Sequence, residues 1–224
     1  MKTQVTDNPE KNRSFNWLTI LSCLMVACYL TSNIMAVKLV DIGGITSFDA
    51  GTITFPLAYM LGDVLTEIWG FKTSKKVIYL TFLCNIFLIF FTYIGLFLPT
   101  PDYMADIDNA YATIFSYTPR ILFASLIAFL LGEISNSWVM EKVKQTTNGK
   151  FLFVRTILSS AVGYAFDTVI FVIIAFIGTV PAIDIISMIT MQYILKMLIE
   201  ALCSTPLAYG VIAFLKKKVG DGNV

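Results

Sequence analysis

Long apolar runs that repeatedly admit a charge constrain this chain more than any other feature. Six stretches, approximately 17–40, 52–70, 76–98, 119–140, 152–178 and 185–215, are long enough for a helix to cross a hydrocarbon core, which takes about 20 apolar residues. Of the 224 residues 57% are hydrophobic and 14% charged, and the mean hydropathy is +0.76. A soluble domain carries roughly 25% charged residues, and a soluble globule of this length could not hide so much apolar surface. The expected fold is all-α: a polytopic membrane protein with a six-helix transmembrane bundle, compatible with a three-plus-three repeat. The second stretch is the least apolar, holds Asp63 and Glu67, and starts near Gly51 and Pro56; it is expected to be short, broken or partly re-entrant. Residues 1–16 read as a polar tail and not a signal peptide, 17–215 as the six-helix transmembrane domain, and 216–224 as a basic tail.

Basic residues outside the spans fall in four groups: Lys2, Lys11 and Arg13; Lys72, Lys75 and Lys76; Lys142, Lys144 and Lys150; and Lys216, Lys217 and Lys218. The three remaining loops have no Lys or Arg but carry Asp41, Asp49, Asp102, Asp106, Asp108 and Asp184. Lys and Arg concentrate in cytoplasmic loops. Six spans place all four basic groups on one side, so both termini are expected in the cytoplasm. The loop 99–119 is acidic and reads as a connector with a possible gating role.

Several function classes drop out. The net charge of +1 provides no basic face for nucleic acid. There is no histidine, which removes the commonest metal ligand and general base, and neither a GxSG nor a GxxxxGK[ST] sequence occurs. An enzyme is not expected, nor a cofactor. Cys23, Cys28, Cys84 and Cys203 lie in apolar runs without a CxxC pair and read as core thiols.

Charge inside the spans needs an explanation. Asp63, Glu67, Glu133, Asp167 and Glu200 lie there, with Lys38, Arg120, Arg155 and Lys196 and the amides Asn33, Asn85, Asn136 and Gln192. Each charge at the bilayer centre costs at least ~2.5–3.5 kcal/mol, so five lipid-facing acids would cost upwards of ~12 kcal/mol. They must face the bundle interior. At 1.5 Å per residue, Asp63, Asp167 and Lys196 fall near the midplane, while Arg120 and Arg155 fall near span ends and can snorkel. Asp63 with Glu67, and Lys196 with Glu200, are four apart and share helix faces; the second pair reads as an internal salt bridge or as one stripe with Gln192. Glu133 and Asn136 are three apart. A central polar cavity accounts for the whole set. With carboxylates, amides, an ammonium and aromatics such as Phe55, Tyr59, Phe129, Tyr164 and Tyr193, it suits a planar, donor-rich heterocycle such as a guanine-like base.

The run Asp49-Ala-Gly-Thr-Ile-Thr-Phe-Pro-Leu-Ala-Tyr59, followed by Asp63-Val-Leu-Thr-Glu67-Ile-Trp-Gly70, resembles the motif of the queuosine precursor transporter family, also described as vitamin-uptake-like. Arg120-Ile-Leu-Phe-Ala-Ser125, Asp167-Thr168, Lys196, and Pro206 with Tyr209 also match, and Asn33 and Lys38 echo its first span. Where the family pattern carries Gln and then Asp, this chain has Glu133 and Asn136, so the acid stands one helical turn away. The resemblance implies a multi-pass protein of the bacterial cytoplasmic membrane that imports 7-deazaguanine bases (the cyano form, the aminomethyl form or queuine) for tRNA modification. It implies that Asp63, Glu67, Glu133 and Asp167 accept the N–H edge and that Lys196 and Asn136 meet the carbonyl or ring nitrogens. Glu200 would hold Lys196, and Asn33, Lys38 and Arg120 would complete the site. The expected partners are a small purine-like base and the lipid bilayer, with a homodimer left open. The competing reading is the substrate-capture subunit of an ATP-driven vitamin transporter.

Overall fold

A computed structural model describes residues 9–42, 46–116, 119–178 and 181–219. Its helices are α1 (Pro9–Met35), α2 (Gly51–Trp69), α3 (Phe71–Gly95), α4 (Ala105–Phe115), α5 (Pro119–Thr146), α6 (Leu152–Phe176), α7 (Ala182–Ile199) and α8 (Thr205–Val219). Five stretches are long and apolar enough to cross a membrane: Ser14–Met35, Phe71–Gly95, Phe123–Thr146, Leu152–Phe176 and Ile185–Lys218. The chain is a multi-pass membrane protein.

The boundaries correct the sequence reading in three places. First, α1 starts at Pro9, where the missing proline N–H is harmless in a first turn, so 9–16 is helix and not tail; residues 1–8 lie outside the described residues. Second, α1 stops at Met35. Leu39–Ile42 pairs antiparallel with Thr46–Asp49, Leu39 opposite Asp49 and Ile42 opposite Thr46. The β-branched Val40 and Ile42 favour strand over a longer helix. Third, the last stretch is two helices joined by a π-helical turn, Glu200–Ser204. Pro206 follows that turn and cannot donate the i→i−4 bond a regular helix would require. Part of the loop 99–119 is also structured: a 3₁₀ turn, Asp102–Met104, leads into α4, whose Tyr111 hydroxyl donates to the Thr92 carbonyl at 2.9 Å.

α2 and α3 show what each face of the bundle requires. The described buried residues of α3 are Ser74, Val77, Ile78, Thr81 and Asn85, one stripe at helical spacing. The rest of that helix, including Leu83, Phe87, Phe90 and Phe91, points outward, as suits a helix sharing its surface with lipid. α2 is the reverse. It is one continuous helix, not a broken one, and every residue from Ala58 to Glu67 is buried. It packs against α1, α3, α5, α7 and α8. Surrounded by protein, α2 has no need of lipid-grade apolarity, which is why it is not among the five apolar stretches and why it can carry two acids. Gly70 joins α2 to α3 in a single residue at φ 77°, and its N–H donates to the Thr66 carbonyl at 3.0 Å; only glycine takes that conformation without strain.

Leu21, Met25 and Tyr29 of α1 pack with Leu61, Val64 and Leu65 of α2, with Ile78 and Phe129, and with Ala208, Ile212 and Leu215 of α8. The most extensive helix pairing is α5 with α6. It is close because Gly132 and Gly163 meet there: a Cβ on Gly132 would lie 3.0 Å from the Gly163 carbonyl oxygen, and one on Gly163 would lie 3.1 Å from that of Gly132. Small residues let helices approach closely in lipid.

Candidate functional site

The buried charged residues described in the interior fall in three groups. The first sits where α2, α5, α6 and α8 end together, the basic end of the bundle. Glu67 is buried there, its Oε2 2.6 Å from Arg155 Nη1 and 3.5 Å from Lys144 Nζ, and its Oε1 3.5 Å from Lys216 Nζ. The Lys144 ammonium also donates to the Glu67 carbonyl at 2.6 Å. Arg155 is 1% exposed; it does not snorkel, because Glu67 and the Gly149 carbonyl, 3.2 Å from Nη2, hold it inside.

The second group is the middle of α2 and α5. Asp63, Glu133 and Asn136 are each 0% exposed. Asn136 Nδ2 donates to Asp63 Oδ1 at 2.8 Å, and the Ser159 hydroxyl reaches the same oxygen at 3.5 Å. Four oxygens accept from no group among the described residues: Asp63 Oδ2, Asn136 Oδ1 and both carboxylate oxygens of Glu133. Glu133 faces the backbone of α2 at Gly62, where a Cβ would lie 2.7 Å from Glu133 Oε2. Gly62 is therefore the residue that admits Glu133.

The third group lies beside the second. Lys196 Nζ donates to Asp167 Oδ2 at 2.6 Å and to the Thr168 hydroxyl at 3.3 Å, and lies 4.8 Å from the centroid of the Phe55 ring. The four-residue spacing pointed to a bond between Lys196 and Glu200; the pair that forms instead crosses from α7 to α6. Glu200 opens the π turn and accepts from the Tyr164 hydroxyl at 2.9 Å and the Thr205 hydroxyl at 3.3 Å. Aromatic rings line this region. Phe55 and Tyr59 are 5.4 Å apart, Tyr59 and Tyr164 4.5 Å, and Tyr29 stacks on Phe129 at 3.7 Å.

The remaining expected residues lie elsewhere. Asn33 donates to Asn85 Oδ1 at 2.7 Å and accepts from Ser125 at 3.2 Å, and Asn33 and Asn85 line a cavity of about 40 Å3. Lys38 is exposed in the turn after α1. Arg120 is exposed and donates to the carbonyls of Ile174 and Ile177 at the end of α6, at 2.5 and 2.6 Å. Trp138 and Phe166, two further aromatics of the apolar stretches, are about half exposed. Tyr29 and Ser159 also belong to the interior and are not singled out by the sequence, since a Ser in an apolar span carries no signal of its own; Thr168, matched to the family pattern beside Asp167, lies there too. A larger, apolar groove of about 600 Å3 lies between α1 and α3, away from all three groups.

A multi-pass helical protein that surrounds a polar core, with acceptor oxygens left over, has the construction of a membrane solute transporter. A family model described as a putative vitamin uptake transporter matches residues 49–211, and the chain belongs to that family of membrane transporters. The probable queuosine precursor transporter of Bacillus subtilis (strain 168) is 29% identical over 179 residues, covering 80% of this chain and 77% of the relative. A protein of the same description from Haemophilus influenzae is 22% identical over 226 residues, covering 95% and 92%. No solved structure matches the chain.

Proposed function

We propose that this chain is a six-span importer of 7-deazaguanine bases in the bacterial cytoplasmic membrane, with its basic end and both termini in the cytoplasm and α2 as the sixth, protein-enclosed span. The observation that carries the reading is the pair of buried acceptors without donors, Asp63 Oδ2 and Asn136 Oδ1, beside the ion pair of Asp167 and Lys196. A guanine-like edge presents adjacent N–H donors next to a carbonyl. The donors fit Asp63, Asn136 and Asp167; the carbonyl fits the Lys196 ammonium; Phe55 and Tyr59 offer ring faces. Glu133, turned toward the α2 backbone, stands outside this contact set. The names of the two relatives support the same class of substrate. Buried as it is, the site is closed, and the base reaches it only after the helices part, as alternating access requires.

The test is restoration of queuosine-modified tRNA in a precursor-auxotrophic strain lacking its own transporter, each base supplied in turn. The wild-type chain should restore the modification and Asp63→Asn should not, although it inserts in the membrane at wild-type level. Failure of the wild-type chain with every base, or full restoration by Asp63→Asn, sinks the reading.

A further inference from the structure

Matching interior acids to cations leaves a remainder. Glu67 is paired with Arg155, Lys144 and Lys216, and Asp167 with Lys196. Among the described residues no ion pair reaches Asp63, Glu133 or Glu200. Asp63 and Glu200 at least accept from amide or hydroxyl groups. Glu133 accepts from nothing at either oxygen and is fully buried. The groups that share its surroundings are acids and phenols: Asp63 and Tyr59 of α2, Asp167 of α6, Glu200 of the π turn and Tyr29 of α1. Lys196 of α7, the cation of that region, is held by Asp167.

We infer that Glu133 is a proton-carrying site and that the chain couples entry of an uncharged base to entry of a proton, an inference that rests on the function proposed above. An ionised carboxylate without a partner in a low-dielectric interior is far too costly to persist, and such a group takes a proton instead. When the bound base displaces the water around Glu133, closing the bundle therefore requires a proton taken from the outer water onto its carboxylate; opening toward the cytoplasm lets water in, the proton leaves with the base on that side, and the emptied site returns with water around the ionised carboxylate. Glu133 lies outside the base contacts, so coupling and binding are separable.

The experiment uses the purified full chain in sealed vesicles with the radiolabelled cyano base and a pH-sensitive dye inside. With an acid-outside gradient of about one pH unit, one-to-one coupling should concentrate the base about tenfold inside, with lumenal acidification that follows base addition. A sodium gradient at equal pH should give no accumulation. Glu133→Gln, a neutral isostere of the protonated acid, should keep base-for-base exchange and lose both pH-driven accumulation and acidification, while eluting as the wild-type particle in gel filtration. The proposal is overturned if wild-type exchange proceeds but the pH gradient drives nothing, if sodium drives accumulation, or if Glu133→Gln accumulates like wild type. Loss of exchange in Glu133→Gln also overturns it, by placing Glu133 in the base contacts. Absence of any exchange by the wild-type chain instead defeats the underlying functional reading.

Discussion

Asp63 and Glu67 stand one turn apart on α2, both acidic and both enclosed by protein, yet their surroundings are opposite. Glu67 gathers three cations delivered by α5, α6 and α8. Asp63 receives one amide and one distant hydroxyl, and keeps an oxygen with no donor. The saturated acid ties four helix ends together at the basic end of the bundle. The unsaturated one lies near the middle, beside Glu133, which is emptier still. A buried polar group is normally satisfied; the proposed base contacts would supply the donor that Asp63 Oδ2 lacks, whereas the cations around Glu67 tie helix ends together. Glu67, a ligand contact on the family resemblance, is held in this structure by three cations.

The largest expected effect follows from the fastened region. Replacing Arg155 with Met strands a buried Glu67 beside two partly exposed lysines, and loss of one partner of a buried pair costs about 3–5 kcal/mol. Thermal unfolding in detergent should show a sharply lowered Tm and reduced folded yield. A Tm unchanged from wild type would erase the contrast between the two acids. The next effect runs the other way. Asp63→Asn removes a charge that lacks a cation, so Tm should hold or rise while base uptake falls by about 100-fold or more, the scale of about 3 kcal/mol for a charge-assisted contact. A variant that loses uptake and stability in parallel would make Asp63 a structural residue like Glu67.

The same two regions show how far the sequence could be read. The helical bundle was legible because lipid demands long apolar surfaces, and α1, α3, α5, α6 and the α7–α8 run supply them. α2 was legible as unusual, but its low apolarity suggested a broken span when its cause is enclosure by other helices. Pairing was not legible. Spacing along one helix tells which residues share a face, not which helix that face meets; so Lys196 was set against Glu200 on its own helix when it bonds Asp167 across the interface. Arg155 lies within a turn of the start of α6, where snorkelling is the natural expectation, and nothing local reveals that Glu67, 88 positions away, draws it inward. The charged residues of the site were found as a set because charge in lipid always demands an account. Ser159 is silent in the sequence because a hydroxyl does not.

A smaller effect joins the two regions through the crossing of α5 and α6. A methyl group at Gly132 would collide with the Tyr59 hydroxyl and lie 2.8 Å from Asp167 Cβ and 3.0 Å from the Gly163 carbonyl oxygen. Backbone on one side cannot yield cheaply, and overpacking of this kind costs about 1–3 kcal/mol. Gly132→Ala should lower Tm by less than Arg155→Met does, yet reduce uptake disproportionately, because the displaced groups are Tyr59 and Asp167 of the site. Equal uptake per folded molecule would mean that the crossing sets stability alone.

The smallest effect belongs to Arg120, matched to the family pattern by sequence and then found far from the unsatisfied oxygens. Its guanidinium reaches the Ile174 and Ile177 carbonyls, where α6 ends and a cation meets the negative end of the helix dipole. At an exposed position such a contact is worth roughly 0.3–1 kcal/mol. Arg120→Ala should therefore shift Tm slightly and leave the apparent affinity for the base untouched, since no group of the proposed contact set moves. Uptake kinetics at several base concentrations make the distinction. A raised KM with an unchanged Tm would put Arg120 on the path by which the base enters, and the polar core would then extend from Asp63 to the end of α6.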